Sequence, residues 1–343
     1  MDNKVSLKRR FLSLPTLVSF AIAIIILLVL ATNFDIDWGI TVDNIRSCNP
    51  VFYASALLSY YLGFLLRGLR WQIMLKNSQS SSDAIAPIPS FLDCSRYIFL
   101  GWFINAITWF RLGDAYRAYL FTEDTGYSFP RAIGTILAER ILDVIMIFIL
   151  LVLASITFYG SVNAGGASLF LGIGLILVLI GLSTILMMKK FGTSIGNLLP
   201  SKLRNPYARF QQGATDSFGH VPFLLIISLL IWFTEVGRLF FAIQALGMAG
   251  AITLSLILFV TLANAILTTV PITPGGLGIV ESGITGLLTL SLTHSEAISV
   301  TLLDRSISYL SIVILGGISF LIDQFNRQRR NRSHIDQDLP NTP

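Results

Sequence analysis

Apolar runs long enough to cross a bilayer, carrying few or no charges, recur along this chain and leave its backbone little choice. Leu14 to Ala31 is the first; Val51 to Leu66, Ser168 to Met188, Pro222 to Leu246, Leu254 to Val270 and Ala297 to Ile322 follow. Runs near 20 residues match the length of a spanning helix. Only 13% of the residues are charged and 54% are hydrophobic, whereas soluble domains carry about 25% charged residues. The chain therefore reads as an all-α, polytopic helical membrane protein. No stretch outside these runs has the pattern of an independent soluble core. The expected division is a basic amino-terminal segment (1–13), a single transmembrane domain (14–322) and a basic, disordered polar tail (323–343). Cys48 and Cys94 indicate no disulfide framework, and both are expected to be unpaired.

One stretch cannot continue a spanning helix. Asn264 to Ser282 reads NAILTTVPITPGGLGIVES and holds Pro271, Pro274, Gly275, Gly276 and Gly278 in an apolar setting. Proline removes a backbone donor and clashes with the preceding turn, and a glycine in a helix interior costs about 1 kcal/mol. Non-helical backbone at membrane depth is tolerated only where it is buried in protein or lines a wet cavity. A helix restarting here would aim freed amides and its positive end at an anion, with Glu281 close by. A kinked helix at a packing joint is the plainer alternative.

Placement of Lys and Arg sets the orientation. Lys4, Lys8, Arg9 and Arg10 precede the first run, and Arg327, Arg329, Arg330 and Arg332 follow the last. Both termini are therefore expected in the cytoplasm of a cell-membrane protein, with an even number of crossings, about eight. Arg67, Arg70, Trp71 and Lys76 read as an inner anchor closing the second span. Phe91 to Phe110 is interrupted by Asp93, Arg96, Gly101 and Asn105, and RLGDAYR follows. A re-entrant hairpin and a membrane-surface helix both fit this segment. An interfacial helix is expected around Leu203 to Phe218. Asn105-Ala106-Ile107 with Leu112-Gly113 echoes Asn264-Ala265-Ile266 with Leu277-Gly278, a weak, inverted-type internal repeat. Interrupted segments in corresponding positions point to a transport site.

Charges inside the apolar segments need partners. Inserting one at bilayer centre costs at least ~2.5 kcal/mol. Glu235 and Arg238 are three apart, on one helix face, and so face the bundle interior. Arg140 and Asp143 repeat that spacing, preceded by Glu139. Asp304 and Arg305 are adjacent, point apart, and require partners on other helices. With Arg67, Arg70, Arg111, Asp114 and Glu281, these exceed what packing needs. Guanidinium groups match the paired oxygens of phosphate, and an arginine-rich pocket near the cytoplasmic side suits a lipid head group.

LLRGLRWQIML, NAITWFRLGDAYRAYL, LAERILDV and NAILTTVPITPGGLGIVES together resemble the lysylphosphatidylglycerol synthase transmembrane, flippase-like family, over about Leu14 to Ile322. The resemblance implies a helical bundle with interrupted helices and lipid translocation. It makes Arg67, Arg70, Asn105, Arg111, Gly113, Asp114, Glu139, Arg140, Asp143, Pro274, Gly275, Gly276, Gly278 and Glu281 the motif positions. With Glu235, Arg238 and Asn264 these, apart from Gly113, form the candidate head-group site. Where members often carry a Pro-Gly pair before the Arg-x-Gly motif, this chain has Trp109 and Phe110. Lysyl-transferring members continue into a large soluble catalytic domain, whereas this sequence ends about twenty residues after its last apolar run.

The leading expectation is a flippase or transporter of a phosphate-headed lipid, either a phospholipid or a polyprenyl-phosphate-linked sugar. The alternatives are a membrane enzyme or accessory subunit of lipid-linked glycosyl or head-group transfer, and a non-catalytic scaffold for a membrane-bound biosynthetic enzyme. No paired-Asp metal motif, Walker-type glycine loop or Cys/His cluster is present in the sequence. No cofactor, metal or nucleic-acid partner is expected; the partners are membrane lipids. The purified chain, incubated with charged transfer RNA and phosphatidylglycerol, is expected to make no lysylated lipid; its appearance would place aminoacyl transfer in this chain.

Overall fold

The computed structural model describes residues 38–79, 87–108, 110–158, 165–269 and 273–338. The expected first span, Leu14–Ala31, the basic residues before it, Trp109 and Pro271 lie outside the described residues. The described chain is helical throughout: a polytopic α-helical membrane protein. Four helical stretches are long and apolar enough to cross a bilayer, namely Pro50–Ser78, Leu171–Leu198, Val221–Ala245 and His294–Arg327, with shorter apolar helices at Leu254–Thr268 and Ile279–Leu288.

After the short helix α1 (Trp38–Arg46), α2 (Pro50–Ser78) begins where local chemistry permits. The Asn49 side chain accepts from the Val51 amide and Pro50 sits in the first turn, where a missing N–H costs nothing. α2 does not stop near Leu66. It runs on for 29 residues, which corrects the reading of Arg67, Arg70 and Trp71 as an interfacial anchor. All three are buried. Hydrophobic burial on the flanking turns continues through Met74 and Leu75, so the helix gains from continuing into the bundle.

α3 (Phe91–Ile107) and α4 (Leu112–Thr125) form an antiparallel hairpin, in which the described part of the Phe91 to Phe110 segment is the first arm. Its open end is tied by Tyr97, whose hydroxyl donates to Asp124 at 2.6 Å. Near the tip, a Cβ on Gly113 would come within 1.8 Å of the Gly101 carbonyl oxygen, so only glycine permits this approach. Asn105 Oδ1 accepts from the Gly113 amide at 2.8 Å, meeting a backbone donor freed by the break. The reversal itself places Phe110 and Arg111 at φ +57° and +53°, left-handed values that cost a non-glycine residue roughly 1–2 kcal/mol each.

α5 (Phe129–Phe158) follows, then α6 (Gly165–Leu198). α6 continues past Lys189 and Lys190, where the sequence suggested an end. The expected interfacial helix is α7 (Ser201–Asp216), which returns along α5. α8 (Val221–Ala245) lies antiparallel to α2, as the Asn49–Ala245 and Arg67–Glu235 contacts show. α9 (Leu254–Thr269) ends at the break and α10 (Ile279–Leu288) restarts after it. α11 (His294–Arg305) passes through a π-helical turn, Ser306–Leu310, into α12 (Ser311–Asp338). The tail expected from residue 323 thus begins as helix: Asp323 is buried, and Arg327 donates to Asp323, Glu123 and Asp124.

One apolar cluster joins α2, α3, α4 and α12 through Tyr60, Phe64, Trp71, Leu100, Phe121 and Ile312. Another joins α8 to α11 through Leu239, Val260, Ile284 and Val300. Outward-facing leucines and isoleucines on α6, such as Leu179 and Ile180, remain exposed, as a lipid-facing surface requires. Cys48 and Cys94 are both free. Gly113→Ala is expected to destabilise the fold by about 1–3 kcal/mol through overpacking at the hairpin tip, whereas Phe110→Gly relieves the left-handed strain and raises the midpoint of unfolding in detergent; opposite shifts would contradict this geometry.

Candidate functional site

The two interrupted segments meet at a single cavity of about 400 Å³. From the first come Asn105, Ala106, Thr108, Phe110, Arg111 and Asp114; from the second, Thr273, Gly275 and Gly276. The echoing Asn105-Ala106 and Asn264-Ala265 pairs both line it. The segments touch directly, since Arg111 Nη1 donates to the Thr268 carbonyl at the end of α9 at 3.2 Å. Gly275 adopts φ +59°, and a Cβ there would fall 2.5 Å from the Tyr309 ring, so the break needs glycine for both its backbone and its space.

Arg305 secures the second break. Its Nε donates to Glu281 at 2.6 Å, its Nη2 donates to the Gly275 carbonyl at 3.0 Å, and its guanidinium lies 5.0 Å from the Tyr309 ring centroid. The Tyr309 hydroxyl in turn donates to the Ala106 carbonyl at the end of α3. The π-helical turn therefore ties the two breaks together, a common use of such turns. Glu281 Oε2 also accepts from the Gly278 amide at 2.6 Å, capping α10. The carboxylate expected beside the anion as a free acceptor or proton carrier is thus fully engaged one layer behind the wall.

The remaining charges form two networks, one around Glu235 and one around Asp114, Glu139 and Asp143. Arg67 donates to Glu235 at 2.7 Å; Glu235 also accepts from Arg238, which reaches Asp304. Arg140 pairs with Asp114 at 2.9 Å and faces Asp143 at 3.9 Å; Arg111 faces Asp114 at 3.6 Å. Arg70, fully buried, meets Asp143 at 2.6 Å, Ser228 at 2.8 Å and Glu139 at 3.4 Å. Glu139 takes its second guanidinium from Arg117 at 2.8 Å. The partners expected for Asp304 and Arg305 are therefore Arg238 and Glu281.

Eleven of the sixteen candidate residues line the cavity: Arg67, Asn105, Arg111, Asp114, Arg140, Asp143, Glu235, Arg238, Asn264, Gly275 and Gly276. Arg70, Glu139, Gly278 and Glu281 sit behind that wall and position those in front. Pro274 contributes backbone to the short 3-10 turn at the break. Two contributors were missed. Arg305 was noted as a charge without being placed in the site. Arg117, three residues after Asp114 and 1% exposed, could have been found from that helical spacing. Aromatic groups also went unassigned: Trp102 carries the Arg67 guanidinium 5.0 Å from its ring centroid and Tyr60 carries that of Arg238 at 5.5 Å, a cation–π support.

Across these networks and the Arg305–Glu281 pair, seven arginines meet six carboxylates. On the cavity wall itself, five arginines face three carboxylates, because Glu139, Glu281 and Asp304 stand behind. With those partners counted, the site keeps one guanidinium in excess of its carboxylates. Asp304→Ala is expected to cost about 3–5 kcal/mol by stripping a buried guanidinium of its partner, against less than about 1 kcal/mol for Arg96→Ala at the exposed end of the hairpin. Unfolding midpoints in micelles check this, and equal losses would contradict it.

Comparison with known proteins agrees with this architecture. The chain is 34% identical to a UPF0104 membrane protein of Methanocaldococcus jannaschii, over 65% of this chain and 95% of that relative. It is 28% identical to a UPF0104 membrane protein of Pyrococcus horikoshii, over 79% and 86%. It also shares 21% identity with the glycosyltransferase AglD of Haloferax volcanii, over 93% of this chain and 56% of that protein. The family model for the lysylphosphatidylglycerol synthase TM region matches residues 16–316, and with its interrupted helices, buried arginines and PITPGG break the chain belongs to that family.

Proposed function

We propose that this protein is a lipid transporter that moves a phosphate-headed lipid between the leaflets of the cell membrane. A phospholipid and a polyprenyl-phosphate-linked sugar both carry the required group. The observation supporting this most is the cationic cavity enclosed by two broken helical segments, five guanidiniums facing three carboxylates. A phosphate loses most of its hydration on entering a bilayer, and arginine forks in a site of low dielectric replace that hydration with charge-assisted hydrogen bonds. Apolar wall residues such as Val144, Ile147 and Ile312 offer the neighbouring acyl chain a compatible surface. In this reading Arg111 and Arg140 hold the phosphate while Arg67 and Arg238 complete the cationic wall. In this reading both termini are cytoplasmic and the lipid enters the cavity from that side. The chain acts without aminoacyl transfer of its own.

A second reading takes its support from the similarity to a glycosyltransferase. There the bundle serves as the membrane component of a lipid-linked glycosyl transfer, holding the phosphate-linked lipid for a partner enzyme. Reconstituted liposomes containing labelled lipids separate the two, because only the transporter changes leaflet accessibility by itself. Arg111→Glu and Arg140→Glu are expected to lower lipid movement at least tenfold, since reversing a contact charge costs several kcal/mol, while the variants still insert and purify. Wild-type rates from both variants would overturn the assigned roles.

A further inference from the structure

The two halves of the chain carry charges at the same spacings. Arg67 and Arg70 on α2 are three apart, as are Glu235 and Arg238 on α8. Seven residues before the first of each pair stand Tyr60 and Ser228. Gly113, in a Leu-Gly step, precedes Glu139 and Arg140 by 26 and 27 residues. Gly278, also in a Leu-Gly step, precedes Asp304 and Arg305 by the same 26 and 27. The contacts repeat with the spacings. Arg70 meets Glu139 at 3.4 Å and Ser228 at 2.8 Å. Arg238 meets Asp304 and lies 5.5 Å from the Tyr60 ring centroid. Arg140 pairs at 2.9 Å with Asp114, the third residue of α4, and Arg305 pairs at 2.6 Å with Glu281, the third residue of α10. Arg67 and Glu235, the equivalent members of the two leading pairs, bond to each other at 2.7 Å, the contact expected on an axis that relates the halves.

The halves run in opposite directions. Asn49, at the start of α2, donates its amide to the Ala245 carbonyl at the end of α8 at 2.8 Å, and Asn77, near the end of α2, donates to the Ser217 carbonyl just before α8 at 3.1 Å. The α3–α4 hairpin opens at the Asn77 end, where Gln72 donates to the Pro89 carbonyl at 2.7 Å. At the Asn49 end α10 leads into α11, whose Ser299 accepts from Asn44 at 3.2 Å. The two breaks meet between these ends, at the cavity. Their clasps differ in access. The Arg140 and Asp114 side chains are 30% and 20% exposed, those of Arg305 and Glu281 11% each. Arg305 also holds the Gly275 carbonyl, and Glu281 the Gly278 amide, so the second clasp is the sealed one. Asn264 precedes Gly278 by 14 residues and Asn105 precedes Gly113 by 8; the repeat therefore lies in the clasps and not in the turns.

We infer that the halves are inverted copies and that Arg305 and Glu281 are positioning residues of a second clasp, the counterpart of Arg140 and Asp114. It seals the cavity from the opposite membrane face and opens toward that face when the first clasp closes. Inverted repeats can exchange conformations in this way, because each half can take the shape of the other. The inference rests on the reading of this cavity as a transport site. It gives Glu281 a task other than carrying a proton: its carboxylate holds Arg305 and the second break together while the cavity is reached from the side on which the α3–α4 hairpin opens.

The test places one reporter, Thr108→Cys on the cavity wall, in a Cys48→Ser, Cys94→Ser background. A small charged thiol reagent labels it from each face, in right-side-out and inside-out vesicles. The parent should label from the face at which the α3–α4 hairpin opens and not from the other. Arg305→Gln and Glu281→Gln should each raise labelling from the opposite face roughly tenfold or more, since each strips a sequestered charge of its partner. Glu281→Gln keeps an acceptor for the Gly278 amide, so it remains readable where Arg305→Gln does not fold; thermal unfolding midpoints decide which variants are read. Labelling of the parent from both faces or from the opposite face alone, or unchanged opposite-face rates in every folded variant, would overturn the inference even where lipid still moves. Opposite-face labelling that rises in variants of a parent that moves no lipid would overturn the transport reading and leave the paired clasps standing.

Discussion

An arginine removed from water must be answered by a carboxylate, and the helix arrangement of this protein follows from meeting that demand seven times. Isolated, each such group costs several kcal/mol. Paired, it ties together helices distant in sequence: α2 to α8 through Arg67 and Glu235, α2 to α5 through Arg70 with Glu139 and Asp143, and α8 to α11 through Arg238 and Asp304. These pairs add specificity more than stability, because apolar replacements of equal volume would pack without a desolvation penalty. What they provide is a wall whose charges point inward and stay fixed.

The second constraint is the backbone. Where a helix breaks in an apolar setting, its freed amides and carbonyls need partners from the protein. Here they find them in side chains. Asn105 takes the Gly113 amide, Glu281 takes the Gly278 amide, Arg305 donates to the Gly275 carbonyl and Arg111 to that of Thr268. Breaks satisfied in this way can face a polar cavity. The left-handed pair Phe110 and Arg111 shows that the reversal is imposed from outside the local sequence. Asn105, the Gly101–Gly113 contact and the tied open end hold the hairpin in a shape its tip residues would not choose.

Much of this was legible in the residues themselves. Pro and Gly density marked the second break, the i, i+3 charge spacing placed Glu235 and Arg238 on an inward face, and the adjacency of Asp304 and Arg305 implied two separate partners. Other features were hidden for physical reasons. Arg67 and Arg70 looked like an interfacial anchor because a buried arginine and a snorkelling one leave the same trace at the end of an apolar run. Their partners are 168, 69 and 73 residues away. Glu281 resembled a free carboxylate because its cap and its arginine exist only once α10 and α11 meet. The tail from Asp323 read as polar and disordered, yet Arg327 is held by acids at the end of α4, a contact between segments about 200 residues apart. Arg117 stayed hidden behind the more obvious RLGD.

Joining the two broken segments in one cavity wall is the feature on which the proposed transport depends. Thr108, at the end of α3, and Thr268, at the end of α9, line the same cavity from the two segments. The direct measurement is therefore cross-linking of Thr108→Cys with Thr268→Cys by a short bifunctional thiol reagent in membranes, in a Cys48→Ser, Cys94→Ser background. The reagent should join the pair in the folded protein, whereas Thr108→Cys with Leu179→Cys on the lipid-facing side of α6 should stay open. A pair at 108 and 268 that cross-links only after unfolding would show that the breaks do not meet.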